Sequence, residues 1–445
     1  MAATRCPPSG DYRRPPSRQA YRLRAVDYRS PSAHDVDRIL YSSAYRRLAG
    51  VTQVVAVGEM RLFHNRMTHT QKVAQLSRRI AEYLNWDERN AEGLSTIVDG
   101  SVDVDAAEAA GLAHDLGHPP FGHIAETELN RLCTATDGYE GNAQSFRIVT
   151  KLSVRRYGFG LDLSPRTLDA ILKYPWKSDH KNARRKNKWG AYLTESQEFA
   201  RIRSPYGKST DKSIEADIMD WADDITYAVH DLEDFYRAGF INLRRLKQDP
   251  VYRREFLAKA LIDQPDDEWT IEGADQLFER LLFYVPPRLD EYAGTVTDRK
   301  NVNRFASEFI NHYVSETRVT TAGRLDIPVD NQREVHLLKQ LTWQFVVNDP
   351  ALASLQRGQV SIIGALFTRL YEWASTERSR QRLPTRLSDL IRYAEREEQH
   401  HSDEARLQRC VADYIATLTE DQAIDLHSRL VGSVRGSIDN TWVAY

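Results

Sequence analysis

Apolar residues recur every three or four positions along most of this 445-residue chain. Val73, Leu76, Ile80, Tyr83 and Leu84 mark one stripe, and Trp221, Ile225, Ala228, Val229, Leu232 and Tyr236 mark another. That spacing lines one face of an α-helix and does not suit the period of two of a strand. Strand-type alternation is scarce, the best case being TQVVAV at 52–57, and no internal repeat appears. The expected fold is all-α.

Composition narrows the function classes. Hydrophobic positions make up 41% of the chain, ample for a large core, and 61 Lys+Arg against 63 Asp+Glu leave a net charge of −2. A balanced chain has no global field to hold a polyanion, so phosphate or nucleic-acid binding has to come from local patches. Cys6, Cys133 and Cys410 are far apart and show no paired spacing, which suggests neither a disulfide framework nor a thiolate metal site and fits a reducing compartment. No run of eighteen apolar residues and no apolar signal region occur, so no membrane partner is expected and the location expected is cytoplasmic.

Residues 1–34, rich in Pro and Arg, read as an irregular leader, followed by a front part over 35–240 that holds nearly all the unusual chemistry and plainer helices over 241–445. A basic stretch at 173–190, with Lys173, Lys177, Lys181, Arg184, Arg185, Lys186 and Lys188, reads as a long loop. A second interruption falls around Tyr284, Pro286 and Pro287.

His114, His118 and His123 fall within the short segment LAHDLGHPPFGHIAE. A His-Asp dipeptide also occurs at His34-Asp35 and His230-Asp231, so context has to choose among the three. EAAGLAHD reads as a closely packed helix of small residues that stops at Gly117 and Pro119-Pro120, which puts His114 and Asp115 in its last turn. A charged aspartate in so apolar a setting is costly unless paired or coordinated; a helix-capping pair bonded to backbone is the simpler alternative. His69 lies on the apolar stripe four residues before Val73 and points inward, as a core histidine or as a ligand. Further on, Asp220, Asp223, Tyr227, Asp231 and Asp234 form an acidic stripe opposite Trp221, Ile225, Ala228 and Leu232. Such a stripe is either a solvated face or one that meets a ligand. Two imidazoles and two carboxylates drawn together would make a mixed N/O set suited to a borderline or hard divalent ion. His123 and Glu126, three apart, share a helix face where a carboxylate can fix an imidazole tautomer, or where Glu126 only complements the helix dipole.

Taken together, His69, His114-Asp115 and the distant Asp223 resemble the H…HD…D signature of HD-domain phosphohydrolases. DRILYSSAYRRLAGVTQV, HNRMTHTQKV, GLAHDLGHPPFGHIAE, EGNAQSFR, ILKYPW and ADIMDWADDITYAVHDLED look like the deoxyguanosinetriphosphate triphosphohydrolase branch, over about residues 35–240. The resemblance implies an HD-domain helical bundle with additional C-terminal helices that complete the substrate site and an oligomer interface. It implies metal-dependent hydrolysis of a deoxynucleoside triphosphate, dGTP first, to deoxynucleoside and tripolyphosphate. One divalent ion, Mn or Mg first and Fe or Ni next, would be held by His69, His114, Asp115 and Asp223. Asp223 is preferred to Asp224 because Tyr227 and Asp231 then follow at four and eight residues on one stripe. His123 with Glu126 matches the family's catalytic pair, and His118 its phosphate contact within that catalytic group. Arg66 matches the α-phosphate arginine, Gln53 and Asp231 the residues near the sugar 3′-OH, and Tyr227 a substrate contact. Lys173 either reaches the triphosphate or is a solvated lysine. The resemblance further implies a homo-oligomer, often a hexamer, with single-stranded nucleic acid or a dNTP as effector. The alternatives are another HD-domain nucleotide phosphohydrolase, or a dNTP-sensing nucleic-acid-binding regulator that uses the basic loop with Trp176 and Trp189.

Overall fold

Polar caps set where the helices begin. A computed structural model of the protein describes residues 27–53, 64–155, 158–179, 181–207, 209–262, 269–284, 292–348, 350–398 and 400–432. Helix α1 (Pro31–Leu40) starts at the Ser30 cap, α2 (Arg66–Trp86) at Asn65, and α3 (Val104–Ala113) at Asp103. Helices α4 (Gly122–Leu132) and α5 (Gly141–Arg147) follow, then α6 (Ile214–Thr226), capped by Ser213. The back part carries α7 (Val296–Ser315), α8 (Val329–Thr342), α9 (Pro350–Ser375), α10 (Asp403–Ala416) and α11 (Glu420–Leu430). Each cap hydroxyl, carboxylate or amide accepts an N–H that the helix cannot satisfy itself. The fold is all-α, with two antiparallel pairs of two-residue strands among the described residues.

Several expectations meet detail here. Helix α1 begins at Pro31, inside the span read as an irregular leader, because Ser30 caps it and proline suits a first helical position. Residues 1–26 of that leader, with Cys6, lie outside the described residues, as do 54–57 of the TQVVAV segment and Pro286 and Pro287. Within TQVVAV, Thr52 forms a single bridge to Asn65. The basic loop is more ordered than its composition suggests: a short helix spans Ala183–Asn187, and Lys177 bridges Ala191.

Small residues bring the site helices close. Gly111 of α3 meets α2 so tightly that a Cβ there would lie 2.6 Å from the Cα of Ala74. That approach, which only glycine allows, sets the separation of the two helices that carry His69 and His114.

Two large apolar cores among the described residues cross residue 240. One joins Ile39, Leu112 and Phe146 to Ile363, Leu366 and Val411; the other joins Val73, Ile80 and Trp221 to Phe309 and Leu337. A Leu, Ile or Phe fully buried in this way contributes roughly 1.5–3 kcal/mol, so the C-terminal helices are part of the same folding unit as the site. A buried ion cluster does the same. Arg147 of α5 donates to Asp413 of α10, to Glu195 and to Glu398, the Nη2–Oδ2 contact with Asp413 being 2.7 Å. Arg147→Met would take the shared cation from three buried carboxylates, and we expect it to lower unfolding free energy by about 3–5 kcal/mol, read as a shifted urea midpoint.

Candidate active site

The Asn65 side chain caps α2 at Thr68 N (2.9 Å), which places Arg66 and His69 on one side of its first turn. His114 stands at the end of α3 and turns its ring by donating Nδ1–H to the Gly111 carbonyl (2.7 Å). Its Nε2 is therefore the nitrogen aimed at the carboxylates, 3.6 Å from Asp115 Oδ1 and 3.6 Å from Asp223 Oδ1, buried and without a hydrogen-bond partner. Asp223 Oδ1 lies 3.0 Å from His69 Nε2. Asp223, then, reaches both imidazoles, whereas Asp224 turns away to Lys339 (2.8 Å).

This set suits a divalent cation on chemical grounds. A neutral imidazole whose Nδ1–H is committed to backbone presents its Nε2 lone pair, as in metal-bound histidines with an oriented outer hydrogen bond. His69, His114 and Asp115 bring ligand atoms within 4.8 Å of one another. Burial alone would lower the His114 imidazole, but the Asp115 and Asp223 carboxylates outweigh it and raise it to about 9, so they favour a positive charge at its Nε2, either a proton or a divalent ion that displaces the proton. Burial works against the charge of Asp223, yet Lys173 and His114 hold it well below the usual carboxylate range. Arg66, His114 and His118 do the same for Asp115. His69 is lowered by burial, with Asp223 opposing. The donors are two imidazoles and two ionised carboxylates, with no thiolate.

The other two His-Asp dipeptides have different partners. His34 pairs with Asp27 (2.7 Å), and His230 Nδ1 lies 2.9 Å from Lys72.

Beside the cluster, the loop from Gly117 to Gly122 is forced into shape. Phe121 and Gly122 both adopt left-handed backbone, φ 68° and 59°, and a Cβ on Gly122 would sit 3.0 Å from the Arg66 guanidinium. Glu420 of α11 restrains this turn by accepting Phe121 N–H (3.1 Å) while also accepting Thr52 N–H and Oγ1–H (2.8 Å each). One carboxylate from the far end of the chain thus fixes the approach to both Gln53 and His123.

The turn delivers His123 and Glu126 on α4. His123 Nδ1–H donates to Glu126 Oε2 at 2.9 Å, the imidazole being 68% exposed and the carboxyl 9%. Glu126 Oε1 accepts from Gly141 N–H (3.1 Å) and Lys188 (3.1 Å), and against burial His123, His118 and Lys188 hold it ionised. His118 bridges the two groups: its Nε2 meets Asp115 Oδ1 at 3.0 Å and its Nδ1 lies 3.6 Å from Glu126. Burial, reinforced by Arg66, pushes His118 down to about 4.

A cavity of about 800 Å³ opens onto both groups, within the usual range of about 300–1,000 Å³ for small-molecule sites. Gln53, Arg66, His114, Asp115, His118, His123, Lys173, Asp223 and Tyr227 line it. Arg66 is held there by Asp115 Oδ2 at 2.6 Å. Four candidates do more or less than line the cavity. Lys173 is neither solvated nor free: its ammonium pairs with Asp220 (2.8 Å) and Asp223 Oδ2 (2.9 Å). His69 and Glu126 stand behind the wall rather than in it, as does Asp231, buried with Oδ2 lacking a hydrogen-bond partner. The reason in the case of Asp231 is local geometry. After α6 the backbone makes a π-turn over Tyr227–Asp231, so the i, i+4 stripe drawn for a regular α-helix does not hold there. Burial and the neighbouring Asp234 and Asp223 push its carboxyl well above the ordinary range.

The resemblance pointed to the C-terminal helices but named no residue there. Much of the remaining wall comes from them: His336 and Lys339 of α8, Trp343 and Val347 in a second π-turn, and Leu352, Leu355, Gln356 and Gln359 on α9. Nothing in their spacing marks them, because plain amphipathic helices supply them. Lys188 and Glu420 were also missed; only the basic loop hinted at the first.

The family described as HD domain matches residues 66–228, and the phosphohydrolase-associated domain matches residues 325–429. Fold and matches together define an HD-domain phosphohydrolase. Among relatives, a deoxyguanosinetriphosphate triphosphohydrolase-like protein of Corynebacterium glutamicum is 33% identical over 92% of this chain and 94% of its own length. Proteins of the same name from Streptomyces coelicolor (32%; 91% and 93%) and Shewanella loihica (30%; 94% and 96%) match over similar spans. The chain belongs to this deoxyguanosinetriphosphate triphosphohydrolase-like family. HD domains are metal-dependent, and no helix among the described residues is long and apolar enough to cross a membrane.

Proposed function

We propose that the protein hydrolyses deoxynucleoside triphosphates, dGTP first, to deoxynucleoside and tripolyphosphate. One observation carries the reading: a metal-competent His/Asp cluster and a buttressed His–Glu pair open onto the same cavity, with Arg66, Lys173 and Lys188 on its wall. His69, His114, Asp115 and Asp223 would hold one divalent ion, Mn or Mg first, which when bound supplies Lewis-acid polarisation at a phosphoryl oxygen.

The chain's own residues do the rest. Arg66, pinned by Asp115, offers its remaining N–H groups to the α-phosphate, where negative charge grows as the reaction proceeds. His123, with Nδ1–H committed to Glu126, presents Nε2 as the base that takes a proton from water. The water oxygen forms the new bond to Pα and the Pα–O5′ bond breaks with its electron pair on O5′, which takes a proton from solvent. Tripolyphosphate leaves with the water oxygen on its terminal phosphorus, and His123 returns its proton to solvent. Glu126, ionised and fixed, stabilises the imidazolium in between. Tyr227 and Gln53, with its buried unpartnered Oε1, are assigned to the sugar. The wall of α8 and α9, with Trp343 before it, is assigned to the base.

The same reading carries a cytoplasmic homo-oligomer, hexamer first. Incubation with each dNTP and Mn tests the function by chromatography of the products. Deoxynucleoside and tripolyphosphate in equal amounts are expected, with dGTP consumed fastest; release of orthophosphate or pyrophosphate, or intact dNTPs, contradicts it.

A further inference from the structure

The EGNAQSFR segment already gives Gly141 N–H to Glu126, and its first residue, Glu140, is wired to the same proton-handling pair. Glu140 is buried, 1% exposed, and lies outside the cavity wall. Its Oε2 caps α5, accepting Asn142 N–H (2.6 Å) and Ala143 N–H (3.0 Å), and its backbone is clamped on both sides by the Tyr192 hydroxyl (3.0 Å each). Its Oε1 takes the Lys188 ammonium at 3.1 Å, and that ammonium lies 3.1 Å from Glu126 Oε1 as well. Glu126 Oε2 in turn accepts Nδ1–H of His123. Charges therefore alternate along Glu140, Lys188 and Glu126, whose second oxygen takes the imidazole N–H.

We propose that Glu140 is a positioning residue that acts through Lys188 and Glu126 to fix the tautomer and orientation of His123. This rests on the proton role given to His123 above. The physical argument turns on stiffness. Lys188 is a long side chain, 38% exposed, with a cavity beside it, whereas Glu140 is rigid. Without a second carboxylate to hold it, the ammonium exchanges its place on Glu126 for solvent, and two partners of the Glu126 Oε1 lone pairs become one. A carboxylate that rocks no longer confines the imidazole to the Nδ1–H form, and the nitrogen offered to water is then the protonated one for part of the time. Burial and the nearby Glu126 raise Glu140, with Lys188 opposing, as befits two carboxylates that share one cation.

Glu140→Gln keeps the size and a cap acceptor but removes the charge. We expect kcat for dNTP hydrolysis to fall about tenfold, in line with outer-shell partners of catalytic imidazoles, with KM within about twofold. The same substitution added to Lys188→Met should cost nothing further, since the link is already cut. A wild-type kcat, a loss in KM alone, or independent effects in the double variant would overturn the proposal. Nitrogen-15 shifts of the His123 ring without substrate separate this from the function itself: the Nδ1–H form is expected in the wild type and a tautomer mixture in Glu140→Gln. An unchanged Nδ1–H form overturns the proposal whether or not dNTPs are hydrolysed. Should Glu140→Gln not fold, Lys188→Met, which leaves the cap intact, carries the same ring-nitrogen test.

Discussion

His123→Ala is expected to lower the rate of tripolyphosphate release by a factor of about 10²–10⁴, the usual contribution of a positioned acid or base, while leaving metal content at the wild-type level. The separation of the two effects follows from the geometry. The His123 ring stacks edge-on against His118, with centroids 4.8 Å apart, and hydrogen-bonds to Glu126, but it is not part of the His69–His114–Asp115 cluster. Removing it empties a mostly exposed position at the cavity wall, so no cavity penalty of the kind found in cores arises. The loss corresponds to about 3–5 kcal/mol in the activation barrier. Initial rates and metal analysis by atomic emission on the same preparation check both halves; full turnover by the variant would remove His123 from the mechanism.

His114→Ala is expected to abolish both metal binding and activity. Its Nε2 faces Asp115 and Asp223 together, whereas His118 meets Asp115 and His69 meets Asp223. The carboxylates left behind keep Arg66 and Lys173 as partners, so the variant should fold. The two proteins should differ in how Mn affects unfolding. At a free concentration a hundred times its Kd, an ion that binds only the native state adds about 2.7 kcal/mol of stability. The wild type should show a rise in Tm of that origin, and His114→Ala none. An equal rise in both would place the ion elsewhere.

The helices were legible because a period of three to four is a local property. The stripes through Val73 and Ile80 and through Trp221 and Ile225 are both buried in the second core. His114, Asp115 and Asp223 stood out through the resemblance to the H…HD…D signature; the residues alone left a helix-capping pair open at His114-Asp115. What escaped was of two kinds. A stripe counted on an ideal α-helix does not survive the π-turn at Tyr227–Asp231, and a π-turn leaves no compositional trace. Contacts between distant residues leave none either: Thr52 and Glu420 are 368 positions apart, and Arg147 and Asp413 are 266 apart. Lys173 shows the same limit, since a basic loop suggests a free cation and only the folded helix α6 brings Asp220 and Asp223 to it. The C-terminal wall of the cavity was expected as a region but not by residue, because it is built from helices whose sequence advertises packing alone.

The most direct measurement follows the oxygen. Hydrolysis of dGTP in ¹⁸O-labelled water with Mn is predicted to place one labelled oxygen on a terminal phosphorus of tripolyphosphate, visible as an isotope shift in ³¹P spectra, with none in the deoxynucleoside. Label in the deoxynucleoside, or label in orthophosphate or pyrophosphate in place of intact tripolyphosphate, would mean that water is not delivered to Pα beside the four-ligand cluster, and the account of this site would fail.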